Sequence, residues 1–391
     1  MKININILKE IPKNFGSGLC VYGKPSEEVS SWINYHNFET ELSGSFTNII
    51  IPEDLDINTA FYINEQYEYI DGISPNLNKY THLGHISNFV LAKTFQKLGI
   101  GKQFIANLGD TLEGNVKKED ALKVYQEICN TFDYKIDKIF FASELEYTGE
   151  LLENGQGEYE GTKIFNINDK KLVGIKSNGA TSYFYQDVAL ASILNSKTLY
   201  MTGLEQGEHF KSLKILFPNV EHLPLGLVMV KGEKMSSRLG NVILFSEIID
   251  MFKEKFGDND KLVWNVLAGY ILKSIPGTNK NIDLDQLDNV KMSAGLYLSY
   301  TLAKLKSAGL VVNDISDFNS VFLKIKTLKA KNSLSPNILF EALVEQAKKI
   351  SGLYELYQIK GNDDNQKMFN PLAEDLLFGM KLLGLYDIDK V

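Results

Sequence analysis

Apolar and polar positions divide the chain into stretches of different period. Up to about residue 60, short apolar runs alternate with Gly, Ser and Asn, and Asn48-Ile49-Ile50-Ile51 reads as a strand stopped by Pro52. From Tyr67 the pattern becomes strand, loop, helix, strand. Tyr67 to Ile73 reads as a strand and Ser74-Pro75-Asn76 as the turn that ends it. Ile86, Phe89, Val90, Ala92, Phe95 and Leu98 then fall at helical spacing over about 83–98, closed by Gly99. Lys102 to Asn107 is the next strand. A polar insertion follows over about 111–175. The alternation resumes with a helix over 182–194, a strand over 198–202 and a helix over 206–216. A Gly- and Ser-bearing loop at 231–241 precedes a helix over 245–256. Beyond Ile275 nearly all periodicity is helical, with helices expected at 294–308, 337–356 and 371–383. Strands separated by helices predict a parallel sheet. The expected fold class is therefore α/β: a parallel-sheet domain over 66–275 carrying the insertion, preceded by a short segment 1–65 and followed by an all-α domain over 276–391.

Composition narrows this picture. The chain has 391 residues, 44% hydrophobic and 23% charged, which suits a soluble protein of two or three domains. No apolar run approaches the roughly 20 residues of a membrane span, and the first residues lack a signal peptide's apolar stretch, so no membrane partner is expected. Two cysteines, Cys20 and Cys129, exclude a disulfide framework and a zinc site of three or four thiolates. A cytoplasmic location without structural zinc is expected. Of 41 basic residues, Arg238 is the single arginine. Codon bias explains the preference for lysine, and bidentate arginine forks cannot be the general means of holding phosphate. With a net charge of −8, any nucleic-acid contact must rest on a local lysine patch, and no DNA partner is expected.

Two motifs carry chemistry. His82-Leu83-Gly84-His85 opens the first expected helix, and chance yields only about 0.005 His-x-Gly-His motifs in a chain of this composition. Gly84 lets a ligand approach the backbone, the helix start favours anions, and two imidazoles can donate to phosphate. Lys234-Met235-Ser236-Ser237-Arg238-Leu239-Gly240-Asn241 suits a mobile clamp on polyphosphate. Alone it reads as a solvated surface loop. The pairing is specific: one motif after the first strand of the sheet, the other about 150 residues later.

The pair resembles the HIGH and KMSKS signatures of the class I aminoacyl-tRNA synthetases, and more closely those of the arginyl-tRNA synthetases. Ser74-Pro75-Asn76, with Lys79 shortly before His82, is similar to that family's Ser-Pro-Asn block. Lys234 to Asn241 matches its KMSTR-x-G-N form, Ser177 to Ala189 its Thr-x-Tyr…Asp-x-Ala segment, and Thr202 to Phe210 its Gln…His-Phe block. The resemblance spans about 67–310 and continues more weakly beyond.

What the resemblance implies is a Rossmann-like catalytic domain that activates arginine with ATP, accompanied by Mg²⁺, and passes it to the terminal ribose of tRNA. His82, His85, Lys79, Lys234 and Arg238 would serve the phosphates, with Gly84, Met235, Ser236 and Ser237 at the nucleotide. Ser237 stands where the general signature has a second lysine, a loss for which Lys79 is thought to compensate in this family. Tyr183 and Asp187 would hold the arginine side chain, with Asn76, Gln206 and Asp71 completing the pocket. Tyr183 and Asp187 are four apart, so a helix puts both on one face. Outside these blocks, Tyr183 would read as a core aromatic and Asp187 as a surface carboxylate.

The window 291–350 holds nine lysines against four acids, a local charge of +5. Lys304, Lys306, Lys324, Lys326, Lys329 and Lys331 are its candidate tRNA contacts, although a solvated helix face gives the same count. Only about 65 residues precede the first catalytic strand, fewer than the family's tRNA-contacting N-terminal domain implies. Two alternatives therefore stay open. One is a paralogue that activates arginine for another acceptor or pathway. The other is a non-catalytic tRNA- or arginine-binding regulator.

Overall fold

The computed structural model describes residues 1–10, 19–77, 80–109, 117–230, 233–234, 243–282, 289–290 and 293–389. It divides into two compact units, one formed by 1–65 with 289–391 and the other by 66–288.

The first unit opens with strands β1 (Lys9–Glu10) and β2 (Leu19–Tyr22), helix α1 (Glu27–His36), strands β3 (Glu39–Ser43) and β4 (Phe46–Ile50) and the short helix α2 (Ile57–Ala60). The strands form an antiparallel sheet in the order β1-β2-β4-β3. Trp32 of α1 is fully buried, and its indole N–H donates to the Ala60 carbonyl at 2.9 Å.

The second unit begins with β5 (Tyr67–Asp71), followed by α3 (Ile86–Leu98), β6 (Gly101–Leu108), α4 (Lys118–Thr131) and β7 (Lys138–Phe141). A separate antiparallel sheet, β8 (Leu152–Asn154), β9 (Lys163–Ile167) and β10 (Lys170–Ile175), intervenes. Then come α5 (Tyr183–Leu194), β11 (Thr198–Gly203), α6 (Gly207–Leu216) and β12 (Val220–Leu225). The main sheet is parallel, in the order β12-β11-β5-β6-β7. The chain runs outward from β5 through β6 to β7, then returns to the other side of β5 with β11. Adjacent β5 and β11 thus flank a topological switch point, where open α/β sheets bind ligands beyond their C-terminal strand ends. α3 fits its expected role: its apolar face is buried, and Gly99, at φ 67°, ends it by donating to the Phe95 and Gln96 carbonyls. The expected insertion is shorter than its polarity suggested, because α4 and β7 belong to the main sheet's own α/β alternation. α4 is amphipathic and buries only Ala121, Tyr125 and Cys129, so its composition reads as polar.

Strands β13 (Val228–Val230), β14 (Glu233–Lys234) and β15 (Lys280–Ile282) form a small third sheet, with α7 (Phe245–Phe256) and the almost wholly buried α8 (Asp260–Leu272) between β14 and β15 in sequence.

The first unit resumes with α9 (Ala294–Ser307), α10 (Val321–Asn332), α11 (Asn337–Leu356) and α12 (Asp363–Leu382). Its N-terminal part packs Ile3, Ile5, Leu19, Trp32 and Phe61 into one core with Val321, Ile325 and Leu328 of α10. α12 starts eight residues before Pro371, the expected first helical position, because Asn362 caps it by accepting from the Asn365 N–H at 3.0 Å. Among the described residues, no helix is long and apolar enough to cross a membrane.

Candidate active site

β5 and β11 run in parallel register, with Asp71 opposite Tyr200 at the C-terminal end of the pairing. Beyond that point Asn88 of α3 straps the two strands, its amide donating to the Gly72 and Met201 carbonyls at 3.0 and 2.8 Å. Two neighbouring cavities open at these strand ends and share Ser74, Thr202, Glu205 and Gln206.

The first cavity, about 520 Å³, is lined by Asp71, Asn76, Asn107, Tyr183, Gln186, Asp187, Tyr200 and His209 beside the shared residues. Asp71 is buried at its wall and accepts a short hydrogen bond from the Ser74 hydroxyl. That hydroxyl in turn accepts from the Asn107 N–H at 2.8 Å. Burial pushes the Asp71 carboxyl up to about 7; the Ser74 bond pulls it down and the Asp187 charge raises it further. Asp187 faces the same cavity from α5 and meets the His209 Nε2 at 2.6 Å. Ser182 caps α5 by accepting from the Tyr185 N–H at 3.1 Å, fixing the turn that carries Tyr183. Asn76 is held at the end of β6 by bonds from Gly109 N–H to Pro75 O and from Leu77 N–H to Gly109 O, and its amide donates to the Tyr183 hydroxyl at 3.4 Å.

The second cavity, about 280 Å³, is lined by His82, Gly84, His85, Ser87, Asn88 and the 225–228 segment beside the shared residues. Here Gly84 differs from its expected role. A Cβ at that position would lie 2.6 Å from His82 Cε1, so glycine makes room for the imidazole itself rather than for a ligand. The His82 Nδ1 accepts from the Gly84 N–H at 3.0 Å, and the His85 Nδ1 accepts from the His82 N–H at 3.3 Å. Both rings thus carry a proton at Nε2. Burial lowers His85 to about 3, with His82 adding to the effect, so His85 is a neutral donor at physiological pH. The 226–228 wall is clamped by the loop between α8 and β15: Gly226 N–H donates to Pro276 O at 2.9 Å, and a Cβ there would come within 2.0 Å of Thr278 O. Buried Lys280 holds that loop through Pro276 O and Thr278 O, both at 2.8 Å.

All five residues expected to bind arginine, Asp71, Asn76, Tyr183, Asp187 and Gln206, line the first cavity, and His82, Gly84 and His85 line the second. Lys79, Met235, Ser236, Ser237 and Arg238 lie outside the described residues, as does the side chain of Lys234. The backbone brackets that loop: Lys234 pairs with Met229 of β13, and Leu244 bridges to His82. Sequence reasoning did not single out Ser74, Asn107, Gln186, Tyr200, Thr202, Glu205 or His209 as site residues. Ser74, Gln186, Thr202, Glu205 and His209 fall inside the quoted blocks, whereas Tyr200 carries no signal beyond a strand aromatic.

The six C-terminal lysines do not share one exposed face. Lys326 and Lys329 are buried, so they are corrected from tRNA contacts to core residues: α10 turns them inward, and Lys329 donates to the Leu8 carbonyl at 3.1 Å. Lys306 is tied to Asp387 and Asp389, Lys324 to Asp317, and Lys304 lies 3.9 Å from the Tyr354 ring centroid. Lys331 is half-buried, and burial lowers its pKa.

The parallel sheet with its switch-point cavities has the fold of the class I aminoacyl-tRNA synthetases. A methionyl-tRNA synthetase from Mycobacterium tuberculosis, solved with methionyl-adenylate, matches 82% of this chain and 90% of its own at a TM-score of 0.51 and 10% identity. Among proteins of that fold the chain resembles the arginyl-tRNA synthetases. The Thermus thermophilus enzyme gives a TM-score of 0.65 at 13% identity over 98% of this chain and 96% of its own, and the Plasmodium falciparum enzyme 0.62 at 18% over 93% and 89%. In sequence, the arginine–tRNA ligase of Lactobacillus acidophilus is 24% identical over 304 residues, 64% of this chain and 53% of its own length. That of Leuconostoc mesenteroides is 28% identical over 248 residues, 54% and 44%. The chain spans about half the length of these curated relatives. No protein-family model matches it.

Proposed function

We propose that the chain activates arginine with ATP and transfers it to tRNA, as an arginine–tRNA ligase. One observation carries the reading: an acidic cavity and a histidine-lined cavity adjoin at the switch point and share four residues. An arginine side chain is always charged and presents five donors, which asks for carboxylates and planar acceptors. Asp71, Asp187 and Tyr183 supply them in the first cavity, while Asn76 and Gln206 position the amino acid's backbone end.

ATP occupies the second cavity. The His82 and His85 Nε2–H groups donate to its phosphates at the start of α3, where the helix also favours anions. Lys79, Lys234 and Arg238 take the remaining phosphate charge, with Met235, Ser236 and Ser237 around the nucleotide and Gly84 making room for the His82 ring. Glu205 is the one carboxylate lining this cavity among the described residues, which suits Mg²⁺ carried in on the phosphates. The arginine carboxylate attacks the α-phosphorus and pyrophosphate leaves. A ribose hydroxyl of the tRNA's terminal adenosine then attacks the acyl carbon, and AMP leaves. No protein nucleophile is required; positioning and charge stabilisation supply the rate. On this reading the reaction runs in the cytoplasm. Contact with tRNA through the helical region excludes Lys326 and Lys329, which are buried.

ATP–pyrophosphate exchange with each amino acid, followed by charging of labelled arginine onto tRNA, tests this. Exchange with arginine but no charged tRNA would move the reading to an arginine-activating enzyme with another acceptor.

A further inference from the structure

Two residues lining the first cavity each carry a buried side-chain oxygen without a hydrogen-bond partner among the described residues: the Tyr200 hydroxyl and the Asn107 carbonyl. Buried polar groups are nearly always paired, because an orphan keeps its desolvation cost without compensation. Tyr200 is 1% exposed and lies in the middle of β11, opposite Asp71, the last residue of β5. Burial raises its phenol pKa well above the ordinary value, and the charges of Asp187 and Asp71 add to the rise. The hydroxyl therefore sits where the fields of both carboxylates meet. Asn107 lies near the end of β6, its backbone engaged with Ser74 and its carbonyl left over.

The carboxylates alone do not exhaust the donors of an arginine side chain. Asp187 already gives one oxygen to His209, and Asp71 gives one to Ser74. We infer that Tyr200 and Asn107 are specificity-determining residues of the arginine cavity, their unpaired oxygens accepting from guanidinium N–H groups that the carboxylates leave over. The inference rests on the arginine reading above. It names what would exclude near relatives of the substrate. Lysine concentrates three donors on one nitrogen and cannot spread them over four acceptors. Citrulline replaces one donor nitrogen with an oxygen, which would face an acceptor. A site built around donated hydrogen bonds rejects an analogue that cannot make them, because its own groups are then left buried and unpaired.

The test compares Tyr200→Phe and Asn107→Leu with the wild-type protein in arginine-dependent pyrophosphate exchange and in heat unfolding with and without arginine. Removing an orphan hydroxyl leaves the free Tyr200→Phe protein at least as stable as wild type. The same change raises the KM for arginine about 10- to 100-fold, leaves the KM for ATP within about twofold, and lowers the preference for arginine over citrulline. Asn107→Leu shows the same split and keeps the test open if the first variant folds poorly. An arginine KM within twofold of wild type in both variants, or an equal rise for ATP, overturns the inference while leaving the proposed activity intact. If the wild-type protein supports no arginine exchange, the activity fails instead. Arginine-induced thermal stabilisation then decides the inference alone: it holds if that stabilisation is lost in Tyr200→Phe, and falls if it is unchanged or absent from wild type.

Discussion

The Asp187 carboxylate and the His209 imidazole, twenty-two residues apart and on different helices, meet at 2.6 Å on the wall of the acidic cavity. The contact uses one carboxylate oxygen of a group that lines the cavity. Asp187→Asn keeps the shape but halves the acceptor capacity and removes the charge. The expected result is an arginine KM raised about 100-fold, with ATP affinity changed less than about threefold, consistent with the loss of a charged hydrogen-bonded pair. Steady-state exchange kinetics in both substrates read this directly, and equal losses for both would contradict the pocket.

Asp71 links the cavity to pH. Its carboxyl is raised from 3.8 to about 7, so near neutrality it is partly protonated, and guanidinium binding favours the ionised form. Arginine affinity should rise with pH up to about 7 and then level off. The stability sign is opposite. Between 3.8 and about 7 the folded chain holds a proton that the unfolded chain has released, so stability falls as pH rises through this window, by on the order of 4 kcal/mol at completion. Asp71→Asn should flatten that slope and stabilise the free protein above pH 7 while abolishing arginine activation. Chemical denaturation at pH 5 and pH 8 checks the slope.

His85 titrates far below neutrality, at about 3. It acts as a neutral donor, so no acidic limb between pH 5 and 8 should belong to it. His85→Ala should lower kcat about 100-fold, the usual loss of one preorganised donor at a developing charge, with little change in arginine KM. A kcat–pH profile with a histidine-like inflection near 6.5 that vanishes in this variant would contradict the assignment.

Lys329 offers a check on the helical region. It donates to the Leu8 carbonyl and is buried with α10, so Lys329→Met should alter stability by about 1–3 kcal/mol through the lost carbonyl partner, without changing the tRNA KM. A tRNA-specific defect at unchanged stability would restore the surface-contact role.

The particular residues show what could be read from sequence and what could not. β5, α3 and β6 were legible because apolar period and turn residues agreed there, and the His-x-Gly-His motif marked the helix start. Asp71, Tyr183 and Asp187 were legible through the resemblance, since an acid at a strand end and a Tyr/Asp pair on one helix face imply a shared pocket. Tyr200 was not, because a buried strand tyrosine looks like core until its hydroxyl is seen to lack a partner among the described residues. Lys326 and Lys329 misled a charge count: composition records a lysine's charge but not whether it is buried, as both are, or meets a backbone carbonyl, as Lys329 does at Leu8. The α4–β7 pair hid in a polar stretch because α4 turns only a narrow apolar face inward.

The two adjoining cavities are proposed to hold arginine and ATP for one reaction. That assignment is tested most directly by pyrophosphate exchange across the amino acids, with and without tRNA, followed by charging of labelled arginine. Exchange should depend on arginine and ATP together, with arginine found esterified to tRNA. Exchange driven by another amino acid, or by none, would contradict it.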